Sequence, residues 1–498
     1  MDFLDPRKKR SHRVRLMIGY ALMTIAISLG TIILVYGAYG YSINTKTGSI
    51  VQNGLLFLDS KPGAANIYLN GNVVHANTPA RLVLPAATYT ITFKKTGYRD
   101  WQRTFDLNEH SVSRFVYPFL LPTTLSPATL KVYSSQPGLI SQSLDRHWIL
   151  VQTSGADPRN LTFDEYDTTN LAQPNSVLTV PAALVTNASL PGSTLTEVEW
   201  ASDNNHLLLQ HNYAGGSEFI IVDRTDPAAS ININKLFNIS PTQIALRNKK
   251  IDQLYIYDQT AGSIQVGDVG KASVGAPLLS HVLAFKGSGS NQILYVTDSG
   301  VPTGKVVARL WNNGKSYPIY TFDSGNTYLV NVAQFQGHTY FVAGSNASDR
   351  INIYKDPLSD IQNPVTAKAI PFMTLLIPGP TKVAFSTNTR FVAVQASQSF
   401  GVYDFETQTR YQYNLQTPLG GPLRWMDGHR LIGAANSAVF VMDYDSTNQQ
   451  SLLPTTLTAG GYFSRDFNQL ITTAPITGTD AVSLEFADMR TGSDLPKP

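Results

Sequence analysis

The sequence predicts a mainly β protein carried behind one transmembrane helix: a small β-sandwich, then a seven- or eight-bladed β-propeller. Three observations carry this. Residues 16–41 (LMIGYALMTIAISLGTIILVYGAYGY) contain no ionisable side chain other than tyrosine. Residues 54–122 form a compact pattern of short apolar runs separated by Gly, Pro and Asn turns. From about residue 129 to the end, one sequence phrase recurs at intervals of 37 to 58 residues.

The apolar run is long enough to cross a bilayer core about 30 Å thick, which needs roughly 20 helical residues. A cleaved secretory signal has a shorter apolar stretch and small residues at its cleavage site; Ala38 is the one position resembling such a site. A buried core helix, the other reading, needs a helical domain around it, and none follows. Arg7, Lys8, Lys9, Arg10, Arg13 and Arg15 precede the run, whereas the forty residues after it hold only Lys46, Lys61 and Arg81. The positive-inside rule then gives a single-pass protein with a cytoplasmic tail (1–15), a membrane helix (16–41) and the rest of the chain extracytoplasmic.

Charge agrees with an exported bulk. The formal net charge is +3, but residues 1–15 contribute six basic and two acidic side chains, and the remainder has 32 basic and 33 acidic. The exported part therefore has no basic field to attract nucleic acid. The absence of Cys excludes disulfides, thiolate metal sites and cysteine catalysis. Charged residues make up 15% of the chain, and such a weakly charged polar surface suits a β-rich extracytoplasmic protein.

Residues 42–53 (SINTKTGSIVQN) read as a polar linker. Strands are expected at 54–59 and 66–69, then an Asn70-Gly71 turn of the two-residue hairpin kind, which needs positive φ at both positions. Further strands follow at 81–84, 89–94, 102–107 and 112–120. The string SKPGAANIYLNG, with Pro62, Gly63, Ala64, Tyr68 and Gly71, is followed by Thr78-Pro79, Leu84-Pro85, Tyr89 and the KKTGY that ends in Gly97-Tyr98. This pattern resembles a PEGA domain, a small β module of membrane-anchored and surface proteins. The resemblance implies a role in adhesion, spacing or wall contact and brings no catalytic residues. Ala86 and Ala87 stand where that family usually has glycine. Tyr68, Tyr89, Tyr98 and Trp101 read as core and rim aromatics; a sugar-stacking platform is the alternative.

The recurring phrase places an apolar residue and an aromatic before a Ser/Asp/Asn turn and a hydrophobic strand, as in VEWASDNNHLLLQ, VAFSTNTRFVAVQ, LRWMDGHRLIGAA and GYFSRDFNQLITT. Marked at Asp145, Asp203, Asn248, Phe285, Phe335, Phe385, Trp425 and Phe463, it gives eight units, the third and fourth weakest. Units of this length with several short strands each are propeller blades. A second phrase, a strand ending in Asp before a turn, supplies Asp167, Asp223, Asp258, Asp404, Asp443 and Asp488, with a looser copy at Asp356. The last unit lacks one strand, and residues 128–134 form an unassigned strand at the start, so pairing the two would close the ring over 128–498. The pattern is similar to the TolB-like and WD-repeat propellers, a likeness of architecture. The strand-end aspartates read as turn-forming residues, with calcium binding and general acid chemistry as alternatives.

Catalytic signals are thin. There is no G-x-S-x-G elbow and no H-E-x-x-H. His206 and His211 are five apart on an expected strand, hence on opposite faces. Glu197 and Glu199 are spaced as a pair on one strand face, read here as a polar outer face rather than the carboxylates of a glycosidase. KGSGSN at 286–291 lacks the helix a phosphate loop needs and reads as a hairpin turn. The expectation is a membrane-anchored, non-enzymatic binding or scaffold protein of the cell envelope, without cofactor, presenting the propeller to a protein or glycan. The alternative is a propeller-type envelope enzyme, a glycosidase or lyase, with carboxylates in the central funnel.

Overall fold

The computed structural model describes residues 6–38, 41–43, 50–153, 161–173, 175–186 and 193–495. The chain divides into two compact units, Met1–Thr124 with Thr491–Asp494, and Leu125–Arg490 with Leu495–Pro498.

In the first unit the helix Pro6–Ala38 contains the span Ser11–Gly37, whose most apolar window has a mean hydropathy of 2.2 and no buried residue. Its exposed apolar side chains, among them Met17, Tyr20, Leu22, Ile33 and Leu34, have no protein to cover them. Arg13 and Arg15 are exposed near its start, and Arg7, Lys8, Lys9 and Arg10 lie in its first turns.

Two four-stranded sheets follow. In one, Ile50–Leu58 pairs antiparallel with Ala80–Pro85 and parallel with Val112–Phe115. In the other the order is Asn72–Asn77, Asn66–Leu69, Ala87–Lys94, Trp101–Leu107. Leu56, Leu58, Ile67, Ile91, Phe93, Trp101 and Leu120 fill the space between them. Two expectations need correction. The linker at 42–53 is not all spacer: Tyr41–Ile43 pairs with residues 50–52, because the β-branched Ile43, Ile50 and Val51 favour extended pairing; residues 44–49 lie outside the described set. The last strand stops at Phe115, since Pro118 has no N–H to give a ladder.

Among the described residues the second unit holds eight four-stranded antiparallel sheets, so the ring has eight blades. Seven are consecutive in sequence, from Ile140–Gln142 to Gln450–Pro454. In the eighth, Tyr462–Phe463, Gln469–Pro475 and Val482–Asp488 are completed by Ala128–Tyr133 from the start of the unit. The first strands of successive blades approach one another, at blades 2 and 3, 4 and 5, 5 and 6, and 6 and 7, and so line the axis. Middle strands such as Phe391–Ala396 and Arg430–Ala435 are buried at every position. Both of their faces are covered by neighbouring blades, so they read as continuous apolar runs rather than alternating ones. The marking aromatics sit between blades: Trp200 Nε1 donates to Ser141 Oγ at 2.7 Å, and Trp425 Nε1 to the Ala384 carbonyl at 3.0 Å.

The strand-end aspartates organise turns. Asp167 accepts from Thr169 N and Oγ1 at 2.8 and 2.6 Å, and Asp223 from Thr225 N and Oγ1 at 2.8 Å each. Asp404 accepts from Glu406 N at 2.9 Å and Thr407 Oγ1 at 2.9 Å. Asp443 takes the Asn448 amide at 2.9 Å; Asp488 instead meets its cross-strand partner, accepting from Gln469 Nε2 at 3.4 Å. Asp258 holds a turn as well, accepting from Thr260 N at 2.8 Å. Its place is different: it ends the second strand of blade 3, Lys250–Asp258, and Asp268 ends the third.

Candidate functional site

The axis of the ring is where side chains from most blades converge, and their first task is structural. Around one level of the channel, side chains of one first strand reach the backbone of the next. Asn331 Nδ2 donates to the Val383 carbonyl at 3.2 Å, Lys382 Nζ to the Leu423 carbonyl at 2.9 Å, and Arg424 to the Gly461 carbonyl. Tyr462 Oη donates to the Ile140 carbonyl at 2.8 Å. These bonds satisfy carbonyls along an edge that has no further strand to pair with.

The same groups give the channel its charge. Arg424 and Lys249 act on Glu197, Lys249 and Lys286 on Glu199, and Lys382 and Arg146 lie within the field of Arg424. Burial and the neighbouring Arg424 charge lower the Lys382 pKa; burial and Lys249 lower that of Lys286, against an opposing pull from Glu199. Arg146 is lowered by burial and by Arg424, with Asp427 opposing. Arg424 lies 4.8 Å from the Tyr462 ring centroid. Glu197 is accessible to solvent yet surrounded by the channel wall; burial raises its carboxyl pKa, while Ser141, Arg424 and Lys249 oppose the rise.

The two glutamates are not an outer strand face, and they are not a pair. Both lie on the innermost strand of blade 2, Thr194–Trp200, and the ladder slips between them, with Glu197 opposite Leu209 and Glu199 opposite Leu208. The extra residue re-aims them. Glu197 turns to Ser141, whereas Glu199 takes Lys249 and, at 2.6 Å, the Leu246 N–H.

His206 and His211 point to different surroundings. His206 stands between Asp203 at 2.7 Å and Asp223 at 3.3 Å, and the same His-to-strand-end-Asp contact recurs as His147–Asp167 at 3.0 Å and His338–Asp356 at 2.6 Å. His211 is buried, with Ser193 Oγ 2.7 Å from its Nε2 and Glu218 2.9 Å from its Nδ1. Burial alone would raise the Glu218 carboxyl, but hydrogen bonds from His211, Thr186 and Asn232 hold it down at about 2. Residues 286–291 form the expected hairpin, with Gly289 at φ +56°.

In the small sandwich the predicted residues serve the fold. Asn70 and Gly71 both have positive φ, 48° and 81°, as their turn requires, and Ala64 and Gly97 also lie in that region. Pro62 and Pro79 follow cis peptide bonds. Buried Thr78 receives the Ala65 N–H on its hydroxyl at 3.0 Å and the Ala64 N–H on its carbonyl at 2.7 Å, and the Gly63 carbonyl accepts from Lys95 at 2.6 Å. Tyr98 and Trp101 are buried; Tyr68 lies under the Lys94 ammonium and Tyr89 donates to the Pro85 carbonyl at 3.0 Å. Ala86 and Ala87 are not among the positive-φ residues, so this turn does not need glycine.

Residues 53–119 match the PEGA domain family. The small sandwich is a PEGA domain. No curated protein matches the chain. Among solved structures, the chain is similar to the Dos1 propeller at 13% identity, covering 72% of this chain and 94% of that one with a TM-score of 0.45. Kluyveromyces lactis Hsv2 is similar at 10% identity, covering 65% and 98% with a TM-score of 0.40. An oligogalacturonate lyase in complex with manganese is similar at 10% identity, covering 73% and 98% with a TM-score of 0.38. Similarity this distant carries nothing about ligand or chemistry.

Lys286, Arg424 and Tyr462 of the axis were missed in the sequence. Each is next to a marking aromatic, Phe285, Trp425 or Phe463, and that position beside the repeat marker is the signal that finds them.

Proposed function

We propose that the chain is a single-pass protein of the cell membrane, N-terminus in the cytoplasm, whose PEGA domain and propeller lie outside, and that the propeller binds a protein or glycan of the envelope without turning it over. The location is supported by the unburied apolar helix, its basic flank and the PEGA domain. The observation that carries the binding reading is the composition of the axial channel. Cations outnumber carboxylates there, and Lys382, Arg424 and Tyr462 already serve backbone carbonyls. Glu197 is not joined by Glu199, which is engaged with Lys249, so the acid and base of a glycosidase are not assembled. A second reading, a hydrolytic enzyme, draws on the raised Glu197 carboxyl and on the Ser193–His211–Glu218 hydrogen-bond chain, which has the order of a nucleophile relay.

The absence of Cys makes the location directly testable. Ser11→Cys, on the N-terminal side of the charge-free run at 16–41, and Ser273→Cys, exposed in blade 3, each introduce one thiol. In intact protoplasts or spheroplasts a membrane-impermeant maleimide is expected to label Ser273→Cys, and to label Ser11→Cys only after permeabilisation. The opposite pattern would overturn the orientation.

A further inference from the structure

Between the first strands of blades 3 and 4, beside the axis, lies a cavity of about 160 Å³ whose polar lining includes Gln243, Asn248, Lys249, Tyr255, Lys286 and Glu199. Three independent features of its wall point the same way. The first is an unmet donor deep in the fold: Tyr255 is 2% exposed, yet its Oη has no hydrogen-bond partner among the described residues. Buried hydroxyls are nearly always partnered. Arg247, the cation over its ring, donates to Gln253 Oε1 at 2.7 Å and to the Ser290 carbonyl at 3.1 Å, and toward the Tyr255 oxygen it acts only as a donor, so the phenolic O–H is left without an acceptor.

The second is a solvent-accessible ammonium without a protein partner. Lys286 makes no hydrogen bond or ion pair among the described residues, and Lys249 repels it. The carboxylate that could answer it is occupied, because Glu199 accepts from Lys249 and from the Leu246 N–H. The third is steric. A Cβ at Gly287 would come within 2.7 Å of Tyr255 Cε2, so glycine is what lets the phenol ring lie against this strand.

An ammonium and a phenolic O–H with nothing to donate to call for the oxygens of an anion. We propose that this cavity is a binding site for an oxyanion, a carboxylate or phosphate group carried by the propeller's ligand, with Lys286 Nζ and Tyr255 Oη as donors. The site rests on the reading of the propeller as a binding module and names the chemistry its ligand brings.

The test is calorimetric titration of the full chain in detergent micelles at low ionic strength with sodium phosphate and, separately, sodium glucuronate. At least one is expected to bind, and the one that binds assigns the oxyanion to a phosphate or a sugar acid. Lys286→Met is expected to weaken binding at least about 10-fold and Tyr255→Phe about 3- to 10-fold. Lys271→Met, a control whose side chain is 77% exposed on an outer turn, is expected to leave binding unchanged. Lys286→Met relieves a repulsion, so its melting temperature should not fall, which separates loss of the site from loss of the fold. Failure of both anions to bind, or wild-type binding by both site variants, would overturn the proposal. If envelope material is still captured by a chain that binds neither anion, the binding reading stands and this site falls.

Discussion

Replacing Ala128–Tyr133 with a Gly/Ser stretch of equal length is expected to lower the stability of the propeller by at least about 4 kcal/mol and to promote association. This strand completes blade 8 through pairing that runs from Val482 opposite Tyr133 to Phe486 opposite Ala128. Tyr133 packs with Ile471, Val482 and Leu484 of blade 8 and with Ile149 and Val151 of blade 1. Its hydroxyl donates to Asp164 at 2.7 Å, and Lys131 pairs with the same carboxylate, which is fully buried. Truncating one large buried aromatic costs about 3 to 5 kcal/mol, and here a buried carboxylate also loses two partners. With unfolding entropy of roughly 2 cal/mol/K per residue, the melting temperature should fall by at least about 5 °C. Circular dichroism melts and gel filtration check both effects. Unchanged melting would mean that the ring is not held shut by this strand.

A second large effect is expected at Arg390. Its Nε and Nη2 grip Asp404 at 2.9 and 2.6 Å, and it also reaches Glu406. Asp404 has no exposed surface, and the guanidinium lies 5.0 Å from the Phe391 ring centroid. Arg390→Met would leave a buried carboxylate supported only by the turn that it caps, at a cost of about 3 to 5 kcal/mol. Arg390→Met with Asp404→Asn removes the stranded charge, so the double variant should be milder than the single. Urea midpoints of the two single variants and the double variant give the coupling. A double variant no more stable than Arg390→Met would show that the charge pair is not what this position contributes.

Sequence alone reached far on architecture, for a reason visible in individual residues. Trp200, Phe385, Trp425 and Phe463 mark first strands because each blade must seal against the next with a large side chain, and this requirement repeats. The closing strand at 128–134 was legible because the last unit lacked one. Local hydrogen-bond needs were legible too, as at Asn70-Gly71 and at Asp167 and Asp223. The axis was not. A lone Lys286 or Arg424 in a short strand looks the same whether it faces solvent or a channel, and only closure of eight blades brings it opposite Glu197. The unequal fates of Glu197 and Glu199 depend on a ladder slip at Val198 that nothing in the local sequence announces. In the small domain, the pairing of Tyr41–Ile43 with the strand after it was hidden by a polar stretch that reads as spacer.

The binding reading is tested most directly by incubating the full chain in nanodiscs with purified envelope glycan and with solubilised envelope proteins, then following both the retained material and its mass. Retention of a component that saturates at a fixed ratio to the propeller, with that component recovered at unchanged mass, is the predicted result. Recovery of shortened or hydrolysed products, suppressed by Glu197→Gln or by Ser193→Ala, would contradict it and make the propeller an enzyme.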